Sequence, residues 1–354
     1  MKRGRDEGSV KIVIIGAGGL VGSRLSEKLV ALKRLHVSPS EDLPLAKIVL
    51  FDMHAPKLTD AVAADPRVEV QTGDLTDRAT IDKALDPDGC TRVTTIQLAA
   101  LLSGYAEDNF DLGMKVNLHG SLGIMEAVRS LGERLGTPQI YLFTSTDYVA
   151  AFNAANQATP VSEESFRLSP VSYGVQKACV ELLLCDFSRK GYIDGRVGRL
   201  SAVLGRPGWS NSVSWSYTGI FTQTLEGKTF EVPGQLPMDR PFPCSCIRNN
   251  CDGLLFLASR ADAAAMGHNR VVQVPARSYT LADIWAACQL VAKEEGREVG
   301  KVVKGELPND ATVKELNVCP AVDCSKAVAL GLPNAIDIKE IIRDYIHTHM
   351  KPKK

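Results

Sequence analysis

The sequence predicts an α/β fold, a doubly wound and mainly parallel sheet that carries a smaller C-terminal lobe. Three observations lead there. Val10–Ile15 is an apolar run that ends in Gly16, the pattern of a strand buried on both faces. Further apolar runs at 48–51, 68–70, 93–98 and 140–143 are separated by segments long enough for crossover helices, the alternation of a parallel sheet. After Gly205 the texture changes, with Arg206-Pro207-Gly208, Pro233, Pro237, Pro241 and Pro243 breaking the chain into short pieces.

Each element follows in order. Leu20, Leu25, Leu29, Val30 and Leu32 recur at helical spacing and give the first crossover helix. Residues 118–135 give the clearest later helix, 173–187 another, and 196–203 the next strand. Two late helical patterns, 281–293 and Ile338–His349, close the chain. Residues 351–354 read as a solvated tail. The predicted division is a nucleotide-binding domain over 1–204 and a substrate-binding lobe over most of 205–354, with some segments returning to the first domain.

Composition narrows the partner. Hydrophobic residues make up 45% and charged residues 23% of 354, enough to bury a full core. Lys plus Arg and Asp plus Glu are both 41, so no global field draws nucleic acid or an anionic membrane. A small molecule is the expected partner. Nine irregularly spaced cysteines point to free thiols in a reducing, cytosolic setting. Lys2, Arg3 and Arg5 ahead of the first apolar run mimic a leader, but Asp6, Glu7 and the glycines that interrupt the run fit a strand and turn better. No run approaches the roughly 18 apolar residues of a membrane span.

Gly16, Gly19 and Gly22 form G-x-x-G-x-x-G between the first strand and first helix, and Leu20 opens that helix. Small residues there let backbone N–H groups approach a pyrophosphate resting on the helix N-terminus, the Rossmann arrangement for a dinucleotide. Asp52 ends the second strand, where a carboxylate accepts hydrogen bonds from ribose hydroxyls and repels a 2′-phosphate, favouring NAD over NADP. It lies 36 positions beyond Gly16 instead of the usual ~20, so an insertion around 36–45 is expected. Asp74, followed by Leu75, is a candidate for the adenine amine or a helix-capping group, a task Thr76 or Asp77 could equally perform.

Tyr173 and Lys177 share one helix face at i, i+4. Oxidising an alcohol by hydride loss needs a base, and a phenol of pKa about 10 serves near neutrality only beside a cation. Lowering it by about three units corresponds to roughly 4 kcal/mol. Cys244, Cys246 and Cys251 lack standard zinc spacing and have no nearby histidine, so no metal is expected.

Taken together, Gly16-x-x-Gly19-x-x-Gly22, Asp52, Asp74, Leu98-Ala99-Ala100, Asn117, Phe143-Thr144-Ser145-Thr146, Tyr173-x-x-x-Lys177 and Arg206-Pro207-Gly208 resemble the extended short-chain dehydrogenase/reductases, the NAD-dependent epimerase/dehydratase group. Within that group, segments such as Ser172-Tyr173-Gly174-Val175-Gln176-Lys177 and Asp108-Asn109-Phe110-Asp111-Leu112-Gly113-Met114 are similar to the D-erythronate dehydrogenases.

The resemblance implies NAD as cofactor, Tyr173 as base, and Lys177 as the ammonium that serves both the phenol and the nicotinamide ribose. It puts the hydroxyl that orients the substrate on Thr146, with Ser145 in reserve. Asn117 falls on the family's relay asparagine, its plainer reading being a buried amide that satisfies local backbone. Arg240 falls where the family faces an arginine to the substrate, a role a solvent-facing arginine in a proline-rich loop would not have. Ser103, after the Leu98-Ala99-Ala100 turn, is a further pocket candidate. The helices at 118–135 and 175–187 have surplus apolar positions; the family pairs them into a homodimer, and intramolecular burial is the alternative.

The implied reaction is oxidation of a hydroxy acid, D-erythronate, at C2 to 2-dehydro-D-erythronate. Competing functions are an L-threonine dehydrogenase, a nucleotide-sugar epimerase or dehydratase, and a non-enzymatic NAD(P)-sensing protein.

Overall fold

Ile12, Val13, Ile14 and Ile15 have no exposed surface, because β1 (Val10–Ile15) runs through the middle of an eight-stranded sheet. The structure, a computed structural model, describes residues 7–150, 160–208, 214–234, 236–305 and 321–350. Lys2, Arg3, Arg5, Asp6 and the tail 351–354 lie outside the described residues. β1 pairs in parallel with β3 (Glu41–Asp52) on one side and β5 (Arg92–Gln97) on the other. Beyond β5 come β6 (Ile140–Thr146), β7 (Asp194–Leu200) and β11 (Val271–Gln273), all parallel. Beyond β3 come β4 (Val68–Thr72), also parallel, and β2 (Arg34–Ser38). The chain reverses its direction of travel between β1 and β5. At such a switch point the carboxyl ends of the strands open a crevice for a ligand.

Alternation along β1 feeds two cores. Ile12 and Ile14 pack with Leu25 and Leu29 of the helix Leu20–Val30 and with Leu254 and Leu257 of the helix Ile247–Ser259. Val13 and Ile15 pack with Ile124 and Val128 of Ser121–Leu135 and with Val180 and Leu184 of Ser172–Arg189. Lys11 sits inside this strand with no exposure, and its ammonium is paired with Asp88 at 2.8 Å and the Asp86 carbonyl at 2.6 Å, so the buried charge is compensated.

One detail fills in the sequence reading and two differ from it, each for a physical reason. The long interval from Gly16 to Asp52 is filled by a hairpin in which β2 runs antiparallel to the first residues of β3, burying Leu35, Val37, Leu43 and Leu45. The helix expected over 118–135 starts earlier, as a π-helical stretch Met114–Gly120 that continues into Ser121–Leu135. A Cβ at Gly120 would lie 2.3 Å from Leu75 Cδ1, so a larger residue there would displace the Leu75 side chain from the widened turn. The strand expected over 196–203 breaks at Ser201, where the chain leaves the large sheet for β8 (Ala202–Leu204).

β8 belongs to a second, three-stranded sheet with β10 (Phe242–Cys246) and β12 (Arg277–Tyr279). β9 (Phe230–Val232) pairs with β13 (Val302–Lys304). A separate core of Tyr217, Phe221, Phe242, Leu281, Ile284 and Ile341 covers these short strands. No helix among the described residues is long and apolar enough to cross a membrane.

Candidate active site

The glycine turn at the end of β1 is closed to side chains. Gly16 has φ of 99°, and a Cβ there would lie 2.5 Å from Ala99 N. At Gly22 a Cβ would lie 2.4 Å from the Gly16 carbonyl oxygen, so the helix packs directly on the turn. That helix begins at Leu20 behind Gly19, with no side chain capping its first N–H groups. Leu98 N and Ala99 N both donate to the Ile15 carbonyl, drawing the Leu98-Ala99-Ala100 segment against the end of β1.

Asp52 is fixed on the other side of the turn. Its Oδ2 accepts from Gly18 N at 2.8 Å and its Oδ1 from Met53 N at 2.7 Å. Asp74 makes its own short turn, accepting from Thr76 N at 2.8 Å, and this bond holds its carboxyl below the usual range. The capping role goes instead to Asp77, whose side chain accepts from Ala79 N. Leu75 lines a cavity of about 170 Å³ with Thr76, Lys115 and His119. Backbone donors with no room for a Cβ, an uncapped helix and a carboxylate beside them fit a dinucleotide: the turn for its pyrophosphate, Asp52 for a ribose, Asp74 and Leu75 for the adenine.

At the end of β6 the chemistry gathers. Lys177 is 1% exposed, donates to the Thr144 carbonyl at 2.8 Å, and lies 4.3 Å over the Phe143 ring and 5.6 Å from the Tyr173 ring centre. Burial pushes its ammonium down to about 7. Tyr173 is shifted the opposite way: burial first, and the Asp147 carboxylate second, hold its phenol above the usual range. Thr146 Oγ1 faces Asp147, at 3.3 Å, and accepts from Tyr148 N at 3.2 Å. Ser145 Oγ is buried with no hydrogen-bond partner among the described residues, and its hydroxyl acts on the buried Glu181 carboxylate that is paired with Arg199 at 2.7 Å.

Asn117 is 1% exposed on the π-helical stretch. Its amide is engaged three ways, with Leu101 N, the Leu101 carbonyl and Gln176 Oε1. Ser103 opens the helix Ser103–Asp108, whose Glu107 accepts from Ser172 N at 2.8 Å, so that helix abuts the start of the Tyr173 helix. Arg240 follows a turn at Pro237, and its carbonyl accepts from Tyr217 OH at 3.4 Å. Its charge also acts on the Tyr217 phenol, whose ring stacks on Phe242 with centroids 4.7 Å apart and which also feels Cys244; Cys244 in turn feels Asp147. Electrostatic influence thus runs from Arg240 through Tyr217 and Cys244 to Asp147 and Tyr173, linking the second sheet to the end of β6. Sequence reading missed Tyr217 and Ser201, since nothing local marks either as close to this point.

Residues 12–272 match the NAD dependent epimerase/dehydratase family. The chain is 35% identical over 343 residues to a D-erythronate dehydrogenase from Cupriavidus necator, covering 95% of this chain and 98% of that protein. A second D-erythronate dehydrogenase, from Haemophilus influenzae, is 26% identical over 96% of this chain and 100% of its own. Among solved structures, a nucleoside-diphosphate-sugar epimerase from Agrobacterium tumefaciens superimposes with a TM-score of 0.82 at 27% identity, covering 99% of this chain and 97% of that one. A GalE-like L-threonine dehydrogenase from Cupriavidus necator shares the fold, with a TM-score of 0.76 at 19% identity over 95% of this chain and 99% of that one. The chain belongs to the NAD dependent epimerase/dehydratase family and is an NAD-dependent oxidoreductase.

Proposed function

We propose that the protein oxidises a short polyhydroxy acid, D-erythronate, at C2 to 2-dehydro-D-erythronate. The observation that carries this reading is full-length similarity to two D-erythronate dehydrogenases, joined to a half-buried Tyr173 with buried Lys177 and Thr146 at the end of β6. NAD, when bound, supplies the hydride acceptor and a positive charge. Tyr173 takes the C2 hydroxyl proton. Lys177, anchored on the Thr144 carbonyl, keeps its ammonium beside that phenol and offers a donor to a ribose. Thr146 orients the substrate through its hydroxyl, and Arg240 holds the carboxylate, a group its planar fork suits. Position provides much of the rate, because hydride donor and acceptor have to meet in a near-attack geometry.

We further propose a homodimer. Leu102, Tyr105, Phe110 and Leu112, all exposed, lie on the short helical segments beside the Tyr173 helix, and Val175 and Leu182 are exposed on that helix itself. Together they make an apolar surface of the kind that two copies bury.

A screen of NAD reduction over four-carbon aldonates, threonine and nucleotide sugars tests the substrate reading. D-Erythronate is expected to be the best substrate, its C2 and C3 epimers weaker, and UDP-sugars inert.

A further inference from the structure

Asp147 has no task in the reaction described above. It is 6% exposed and opens the 3-10 turn Asp147–Val149 directly after Thr146. A Cβ at Gly174 would lie 2.5 Å from the Tyr148 carbonyl oxygen, so this turn packs tightly on the first turn of the helix that carries Tyr173. A threonine hydroxyl has one proton to give and two lone pairs to fill. The proton of Thr146 Oγ1 goes to Asp147 Oδ1, and one lone pair accepts Tyr148 N–H. What remains for a ligand is one lone pair, which accepts a hydrogen bond and cannot give one.

The C2 hydroxyl of the substrate also has one proton, and Tyr173 takes it. The group that satisfies Thr146 has to be a different donor on the same molecule. We propose that Asp147 is a positioning residue that sets specificity: by holding the Thr146 proton it makes Thr146 Oγ1 an acceptor, so the site demands a hydroxyl beside the carbon that is oxidised. The inference rests on the dehydrogenase reading above and deepens it, from a hydroxy acid to a vicinal diol acid. An analogue without that hydroxyl leaves the last lone pair of Thr146 buried and unmet.

The Asp147 carboxyl accepts from the Thr146 hydroxyl and from Ser201 between β7 and β8, and it acts electrostatically with Arg199 on β7, Tyr173 on its helix and Cys244 on β10. Burial pushes its carboxyl up to about 6, against the pull of the Ser201 and Thr146 hydroxyls and of Arg199. Above that pH the carboxylate claims the Thr146 proton. Below it, the acid carries a proton of its own and releases Thr146 to donate. The demand for a vicinal hydroxyl is therefore expected to strengthen as pH rises through about 6.

The test compares kcat/KM for D-erythronate with that for its 3-deoxy analogue, 2,4-dihydroxybutanoate, from pH 5 to 8 in the wild type, Asp147→Asn and Asp147→Ala. Thermal melts check that each variant is folded. The wild type is expected to prefer the diol acid by about a hundredfold at pH 7, and by about tenfold less at pH 5. Asp147→Ala should cut the preference at pH 7 by about tenfold, chiefly through KM, and Asp147→Asn should make it independent of pH near 6. Lys177 is unchanged in both variants, so a limb that it causes near 7 persists. A preference that keeps its wild-type size and pH dependence in both variants overturns the inference, as does an equal loss on both substrates, the mark of a merely structural role. A wild type that oxidises neither acid overturns the dehydrogenase reading together with this inference, whereas a wild type active on D-erythronate with an unaltered ratio in the variants overturns this inference alone.

Discussion

Lys177 donates its ammonium proton to the carbonyl of Thr144 at 2.8 Å, which ties the helix that carries Tyr173 to the strand that ends in Thr146. One hydrogen bond thus fixes the distance between base and orienting hydroxyl. Lys177→Ala is expected to reduce both kcat and NAD affinity, because it removes the cation and this tie. Tyr173→Phe should lower kcat by about two to four decades and leave the NAD dissociation constant within about threefold, since the ring still packs. Single-turnover kinetics with a fluorescence titration of NAD separates the two. Wild-type kcat in Tyr173→Phe would show that another group takes the proton.

Asp52 is tied to the glycine turn through Gly18 N, and its other oxygen accepts from Met53 N. The wild type is expected to prefer NAD over NADP. Asp52→Ser should shrink that ratio of kcat/KM values at least tenfold, as the repulsion of a 2′-phosphate is lost. The variant should also melt lower, on the order of 1 kcal/mol, because Gly18 N loses its partner. An unchanged ratio would move the discrimination to another residue of the β2–β3 hairpin or its surroundings.

Arg240 is the proposed carboxylate anchor. Arg240→Ala is expected to lower kcat/KM for D-erythronate by about one to two decades, the scale of a hydrogen bond to a charged group. Arg240→Lys should recover part of it, since lysine restores charge without the planar fork. Steady-state kinetics with the carboxylate replaced by its amide checks the assignment: the wild type should lose about what the alanine variant loses, and the variant should lose little more.

Asp147 makes a prediction for stability as well as specificity. Its folded carboxyl is raised to about 6 against about 3.9 in an unfolded chain. Between those values the folded state binds more protons than the unfolded one, so stability falls as pH rises from about 4 to 6 and stays reduced above. Asp147→Asn removes the penalty and should therefore melt higher than the wild type at pH 7, by an amount on the order of 2 kcal/mol, and close to it at pH 4. Melting curves at the two pH values decide this. A lower melting point at pH 7 would mean that the carboxylate stabilises the fold.

What was legible in the sequence was local or periodic. The buried run of β1, the glycines after it, and Tyr173 with Lys177 one helical turn apart could be read because the residues that act together lie within a few positions. The break at Ser201 was not legible: residues 196–203 keep one apolar texture while the backbone changes sheets, and the cause is the separate three-stranded sheet that receives β8. Nor was the π-helical turn, where Gly120 packs on the Leu75 side chain across 45 positions. The proximity of Asp147 to Tyr173 and Cys244 is likewise set by tertiary packing. Asn117 shows a third case, in which the motif marked the right position while its partners, Leu101 and Gln176, came only from the fold.

In the proposed reaction a hydride leaves C2 of a short polyhydroxy acid for NAD while Tyr173 takes the hydroxyl proton. D-Erythronate deuterated at C2 tests it most directly, with the reduced cofactor analysed by mass spectrometry. The expected product is reduced cofactor that carries the deuterium, formed by the wild type and almost absent with Tyr173→Phe. Reduced cofactor without deuterium would contradict the site of oxidation, and turnover of UDP-sugars with no reduction by D-erythronate would contradict the substrate class.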